Sequence, residues 1–255
     1  DKNTKVRLEV LPANVGDDAK PTLVTIVRQK IRLEDQAATS KIIETGTGAM
    51  KHKIGVIDLP TFYEDFEGHR INDPNYASAS HDVAKILAKF KTEKVDGVVV
   101  DLRDNGGGSL DEAIALTGLF VGPGPVVQVR QSGGRVAVQD DDATHAAWTG
   151  PLEVLVNRGS ASASEIFAAA IQDYGRGLIV GENTFGKGTV QNLIDLDRVT
   201  HSEGEQYGQV KLTIAQFFRV NGGSTQNKGV IPDLAFPASL DGKDYGESTY
   251  DNALP

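Results

Sequence analysis

The sequence predicts an α/β protein with parallel strand pairing, and three observations predict it. Lys53–Leu59 and Val95–Leu102 are apolar runs of strand length, and between them Ala79–Phe90 carries Val83, Ile86, Leu87 and Phe90 at helical spacing. Strand, helix and strand at these lengths make a crossover unit, which parallel neighbours require. The same order recurs further on, with Leu152–Val156, then Ile166, Phe167, Ala170, Ile171 and Tyr174 on a helix, then Leu178–Val180. The third observation is composition: 255 residues, 39% hydrophobic and 24% charged, suit a globular chain with one large core or two modest ones.

Composition also excludes several classes. A net charge of −9 argues against nucleic-acid binding, because a phosphate backbone needs a basic face. Zero cysteines exclude disulfides and thiol chemistry and argue against a zinc site. No apolar run approaches the ~20 residues of a membrane-spanning helix.

Taken in order, Lys5–Leu11 and Thr22–Leu33 read as strands around a polar turn, Asn14–Pro21. Two strands bury too little to be stable alone, so residues 1–35 read as the end of a domain whose beginning lies upstream. Gln36–Met50 is polar and reads as a linker, and Tyr63–Tyr76 as a mobile loop. Asn105–Gly108 is a glycine-rich turn before a helix, Leu110–Leu119, a place where main-chain N–H groups converge and bind anions. Without a ligand it is simply a tight turn. Arg103 and Asp104 beside it read as structural. Val126–Arg130 and Arg135–Gln139 form a hairpin across Gly133–Gly134, and Asp140–Asp142 lacks the spacing of a calcium loop. Val210–Val220 is a strand, and residues 237–255 read as a polar surface tail.

The chemistry concentrates between Asn157 and Gln191. Ser162 falls at the N-terminus of the helix, where unpaired N–H groups collect. Lys187 lies on the glycine-rich loop after the next strand, with Gln191 four residues on. A serine nucleophile needs a base, and lysine serves once burial removes its charge. Moving its pKa from about 10.4 to near 7 costs roughly 4–5 kcal/mol of differential solvation. A neutral Gln can aim the amine without holding it protonated as a carboxylate would. Simpler readings compete: Ser162 with Glu165 is a capping box, Ser160 and Ser164 are equally placed for attack, and Lys187 alone is a solvated loop lysine. Gly181–Lys187 has the spacing of a phosphate-binding loop, but Gly188 replaces the magnesium-binding hydroxyl and a strand follows. The five histidines (His52, His69, His81, His145, His201) sit in no recognisable triad context.

The stretch SASASEIFAAAIQDYGRGLIVGENTFGKGTVQ resembles the C-terminal processing, or tail-specific, serine proteases of bacteria, peptidase family S41. The likeness extends through RLED, VVVDLRDNGGGSLDEA, FFRVNGGSTQNKGVIPD and DNALP. The resemblance implies Ser162 as nucleophile, Lys187 as general base and Gln191 as its orienting partner. It implies a crotonase-like or ClpP-like protease core over residues 36–236, with an oxyanion hole from Gly107 or Gly108 and from the Ala163 N–H, and with no metal or other cofactor. Residues 1–35 become the closing strands of a PDZ domain that senses substrate C-termini. The implied partners are unfolded or tagged proteins with apolar tails and an adaptor lipoprotein, in the periplasm, with no nucleotide or nucleic acid. Related crotonase-like folds supply the competing expectations, a non-catalytic binding module or an acyl-CoA enzyme.

Overall fold

A computed structural model describes residues 3–11, 20–29, 36–71, 73–74, 76–142, 144–200, 207–237 and 244–255. The chain divides into two compact units, Asp1–Asp35 and Gln36–Pro255. In the first, β1 (Lys5–Val10) and β2 (Thr22–Val27) pair antiparallel, from Lys5 opposite Val27 to Val10 opposite Thr22. The second strand thus ends earlier than its composition suggests. The turn at 14–19 and the RLED segment lie outside the described residues.

The second unit is built on a six-stranded sheet and a four-stranded sheet. The larger takes β3 (Thr39–Thr45), β4 (His52–Asp58), β5 (Gly97–Asp101), β8 (Leu152–Val156), β9 (Leu178–Gly181) and β12 (Leu234–Ala235), with order β12-β9-β8-β5-β4-β3. Every neighbouring pair from β12 to β4 is parallel, and only the edge strand β3 is antiparallel. The expected parallel crossover architecture is present. β5 and β8 are near-continuous valine and leucine runs because parallel strands are covered on both faces.

The helices α1 (Phe66–Arg70), α2 (Ala79–Thr92), α3 (Leu110–Val121), α4 (Ala163–Asp173) and α5 (Leu196–Thr200) connect these strands. α2 starts where the Ser78 hydroxyl accepts from the His81 N–H, and it buries Val83, Leu87 and Phe90. α4 is buried from Ala163 to Ile171, a run of small and apolar residues interrupted only by the carboxylate of Glu165. It packs on α3, where the Phe120 and Phe167 rings meet edge to face at 5.7 Å. The smaller sheet, β10 (Thr189–Asp195), β11 (Gln209–Phe218), β6 (Gly124–Gln131) and β7 (Val136–Asp141), is antiparallel throughout in the order β10-β11-β6-β7. A largely buried ion pair, Arg219 to Asp173 at 2.6 Å, ties the end of β11 to the end of α4.

Three expectations are corrected. Residues 36–50 are not only a linker: β3 lies there, and its polar composition reflects an edge strand whose side chains stay largely in water. The 63–76 segment holds α1, and Tyr63 within it is buried, its hydroxyl donating to Asp82 at 2.7 Å. Residues 244–255 are not a loose tail. Tyr245 and Tyr250 pack on Phe185, the Glu247 N–H donates to the Phe185 carbonyl, and the side-chain amides of Gln226 and Asn227 donate to the Leu254 carbonyl. The polar and acidic composition of this segment hides the two tyrosines that anchor it.

Candidate active site

Three adjacent parallel strands, β5, β8 and β9, lead from their carboxyl ends into three loops, and these loops meet. Crevices at this end of a parallel sheet are where α/β folds place their ligands. From β5 comes the turn Asn105–Gly108, from β8 the segment Asn157–Ser162, and from β9 the loop that carries Lys187.

Asn105 is fully buried and joins the first two. Its side-chain amide donates to the Leu59 carbonyl at 2.7 Å and its Oδ1 accepts the Gly107 N–H at 2.9 Å. Its own carbonyl accepts the Ala161 N–H and the Ser164 hydroxyl. The turn is so close to α4 that a Cβ on Gly107 would sit 2.9 Å from the Ser162 Cβ. A Cβ on Gly108, whose φ is 149°, would sit 2.2 Å from the Phe62 carbonyl oxygen. Only glycine fits at either position.

The three serines that the sequence left in competition have different settings. Ser160 is buried and donates to the Leu102 carbonyl at 2.7 Å, and Ser164 is buried and donates to the Asn105 carbonyl at 2.8 Å. Ser162 alone of the three lines a cavity of about 370 Å³. Its backbone stands at φ 57° and ψ −112°, a region costing a non-glycine residue about 1–3 kcal/mol and found mainly at functional sites. Lys187, Gln191, Gly108 and Ala163 line the same cavity. The Lys187 amine donates to Gln191 Oε1 at 2.9 Å. Among the described residues, no hydrogen bond within the chain uses the N–H of Gly108 or of Ala163, whereas that of Gly107 is committed to Asn105.

The sequence signal S-x-x-E marks Glu165 only as a local cap, but this carboxylate does more. It is fully buried, and it accepts from the Ser162 N–H at 2.8 Å, the Thr184 hydroxyl at 2.5 Å, the Gly186 N–H at 2.7 Å and the Lys187 N–H at 2.9 Å. One side chain thereby ties the start of α4 to the loop of Lys187. Burial raises its pKa to about 7, against those four hydrogen bonds, which favour the carboxylate. Burial also lowers the pKa of Lys187, helped by the neighbouring Lys211 ammonium and opposed by Glu247 and Glu165. Lys211 and Glu247 carry no sequence signal at all, because they reach the site from β11 and from the returning C-terminal segment.

The other expectations are placed as follows. Arg103 pairs with Asp101 at 2.6 Å, and Asp104 accepts from the Asn157 amide at 2.8 Å, so both serve the turn. His52, His69, His81 and His145 lie outside the cavity lining, and His201 lies outside the described residues. The loop Gly181–Lys187 leads into the strand β10 and not into a helix, which removes the dipole end that a phosphate-binding loop uses.

Known proteins share this arrangement of strands and loops. The chain is 48% identical to the tail-specific protease of Haemophilus influenzae over 99% of its own length and 34% of that protein. It is 34% identical to the carboxyl-terminal-processing protease of Synechocystis over 91% of its length and 47% of that protein. The chain spans about a third to a half of the length of these curated relatives. Among solved structures, the photosystem II D1 C-terminal processing protease matches with a TM-score of 0.65 and 27% identity, over 95% of this chain and 57% of that one. Residues 53–236 match the model of peptidase family S41, and the chain belongs to that family.

Proposed function

We propose that this chain is the catalytic core of a serine endopeptidase that processes proteins by their C-terminal tails. One observation carries the reading: a half-buried lysine, aimed by a neutral amide, shares a cavity with a strained serine and two unused N–H groups. In the proposed reaction the Ser162 Oγ attacks the peptide carbonyl while Lys187 takes the hydroxyl proton. The tetrahedral oxyanion receives the N–H groups of Gly108 and Ala163, each donor contributing roughly 2.7–4 kcal/mol. The C–N bond breaks as Lys187 returns the proton to the leaving amine, leaving an ester on Ser162. Water, activated by the same amine, then hydrolyses that ester. Gly107, its N–H held by Asn105, shapes the turn in this reading and does not donate.

β10 is an edge strand and lines the cavity from Thr189 to Asn192, so an extended substrate has a strand to pair with. The names of the relatives support a choice of substrates by their C-termini. Residues 1–35 are read as the end of a PDZ module for apolar tails. Periplasmic location and an adaptor lipoprotein belong to the same reading. No helix among the described residues is long and apolar enough to cross a membrane.

The test is turnover of an unfolded protein with an apolar tail. Ser162→Ala and Lys187→Ala are each expected to abolish it, and the wild-type rate to rise with pH as the Lys187 amine loses its proton. Equal activity in the wild type and Ser162→Ala would sink the proposal and return attention to an acyl-CoA or binding role.

A further inference from the structure

A second polar chain runs from the glycine turn to the surface, and the proposed reaction does not use it. The segment 61–64 brackets the turn. The Phe62 N–H and the Thr61 hydroxyl both donate to the Gly107 carbonyl, at 2.9 and 2.8 Å, and the Ser109 N–H donates to the Phe62 carbonyl at 2.9 Å. Glu64 ends this bracket. Its carboxylate, 2% exposed, accepts the Ser109 hydroxyl at 2.6 Å through one oxygen and meets Nδ1 of His69 through the other. The Ser109 oxygen in turn accepts the Glu112 N–H, capping α3 directly after Gly108. His69 is half-exposed on α1, with its ring stacked on Tyr76 at 5.0 Å. An ionised carboxylate this deep is costly unless a cation and hydrogen bonds accompany it, and His69 can supply that cation from a position that still exchanges protons with water.

We propose that His69, Glu64 and Ser109 form a positioning relay, through which the charge on His69 sets the alignment of the Gly107–Gly108 turn. The proposal rests on reading the Gly108 N–H as an oxyanion donor. None of the three residues touches the reacting atoms; they act on the turn that does.

The groups around the imidazole fix the sign. Glu64 bonds it, Asp111 and Glu112 of α3 add negative charge, and beyond Tyr76 the His81 ring of α2 stands edge-on at 4.9 Å. The Glu64 hydrogen bond, with the charges of Asp111 and Glu112, holds His69 protonated to a higher pH than a free imidazole, with burial opposing. The ion pair is therefore complete below the ordinary histidine range and is lost as pH rises through the raised value. That limb runs opposite to the one set by Lys187, so kcat should pass through a maximum.

The test uses the full chain labelled with ¹⁵N. In the wild type, the amide signals of Gly107 and Gly108 should move with the midpoint of the His69 ring. In Ser109→Ala and in Glu64→Gln the ring should still titrate while the glycine amides stop following it. In kinetics, His69→Gln, neutral at every pH, should behave throughout as the deprotonated wild type. Its kcat should be about threefold or more lower than the wild type below the wild-type midpoint and equal to it above, with the alkaline limb gone and KM unchanged. Glycine amides that ignore His69 in the wild type, or an alkaline limb that survives in His69→Gln, would overturn the relay. Should Glu64→Gln fail to fold, Ser109→Ala decides the link alone. The amide titration needs no turnover, so it decides the relay even if Ser162→Ala shows that the peptidase reading is wrong.

Discussion

The two walls of the cavity are held in different ways. On the wall of Ser162, Asn105, Ser160, Ser164 and Glu165 are all fully buried, and each side chain bonds the main chain. On the other wall, Lys187 is half-buried and its partner Gln191 is exposed on an edge strand. The contrast follows from what each wall must do. A strained backbone at Ser162 persists only where its surroundings over-determine it. In the proposed reaction the Lys187 amine takes a proton and returns it in every turnover, which needs a setting that commits to neither charge. A polar but neutral acceptor at the edge of water provides that setting.

Glu165 is the point where the walls join, so removing it should do most damage. Glu165→Ala leaves three N–H groups and the Thr184 hydroxyl without their acceptor in a buried place. At about 1–3 kcal/mol for each unsatisfied group, partly relieved by relaxation, the expected loss is about 3–6 kcal/mol of stability, with turnover lost as well. Glu165→Gln keeps one acceptor oxygen and should fall between. Denaturant melts of the three proteins check the order. A Glu165→Ala protein as stable as the wild type would mean that the walls are held together elsewhere.

The same carboxylate makes stability depend on pH. Its folded pKa is about 7, above the ordinary 4.5, so folding favours the protonated acid. That contribution is complete below about 4.5 and is lost as pH rises through 7. The shift corresponds to about 3 kcal/mol. Between pH 5 and 8 the wild type should therefore lose stability by an amount of this order, and Glu165→Gln should lose much less. Parallel slopes in the two proteins would show that Glu165 titrates in its ordinary range.

What the sequence could reveal follows the same division. Strands and helices that bury a continuous face, β4, β5, β8, α2, α3 and α4, announce themselves by period and length. So does Ser162, because a helix start is written locally in small residues. Elements whose partners lie far away in the chain stay silent. β3 has the composition of a linker because it is an edge strand, β12 has two residues, and the returning 244–255 segment is read by charge while its tyrosines do the packing. At the site, S-x-x-E accounts for one of the four bonds of Glu165, and the other three come from the loop after β9. The choice among Ser160, Ser162 and Ser164 depends on which hydroxyls the Leu102 and Asn105 carbonyls absorb, a fact of the assembled sheet.

The smallest effect belongs to Gln191, and it separates the walls most cleanly. The β10–β11 register shifts between Val190 and Gln191, a bulge of the kind that re-aims a side chain at the rim of a site. Gln191 is exposed and its oxygen is 2.9 Å from the Lys187 amine. Gln191→Ala should leave stability within about 0.5 kcal/mol, as for other exposed positions. It should lower kcat about tenfold, the ~1.4 kcal/mol of one hydrogen bond to a reacting group, with KM little changed. Gln191→Glu tests the reason for a neutral partner. A carboxylate there would hold the ammonium form, so the acid limb of the rate should move to higher pH and the rate at neutral pH should drop further than in Gln191→Ala. Melts and kcat–pH profiles of the two variants read both effects. If Gln191→Ala lost stability as Glu165→Ala does, the exposed wall would be as structural as the buried one, and the contrast between them would fail.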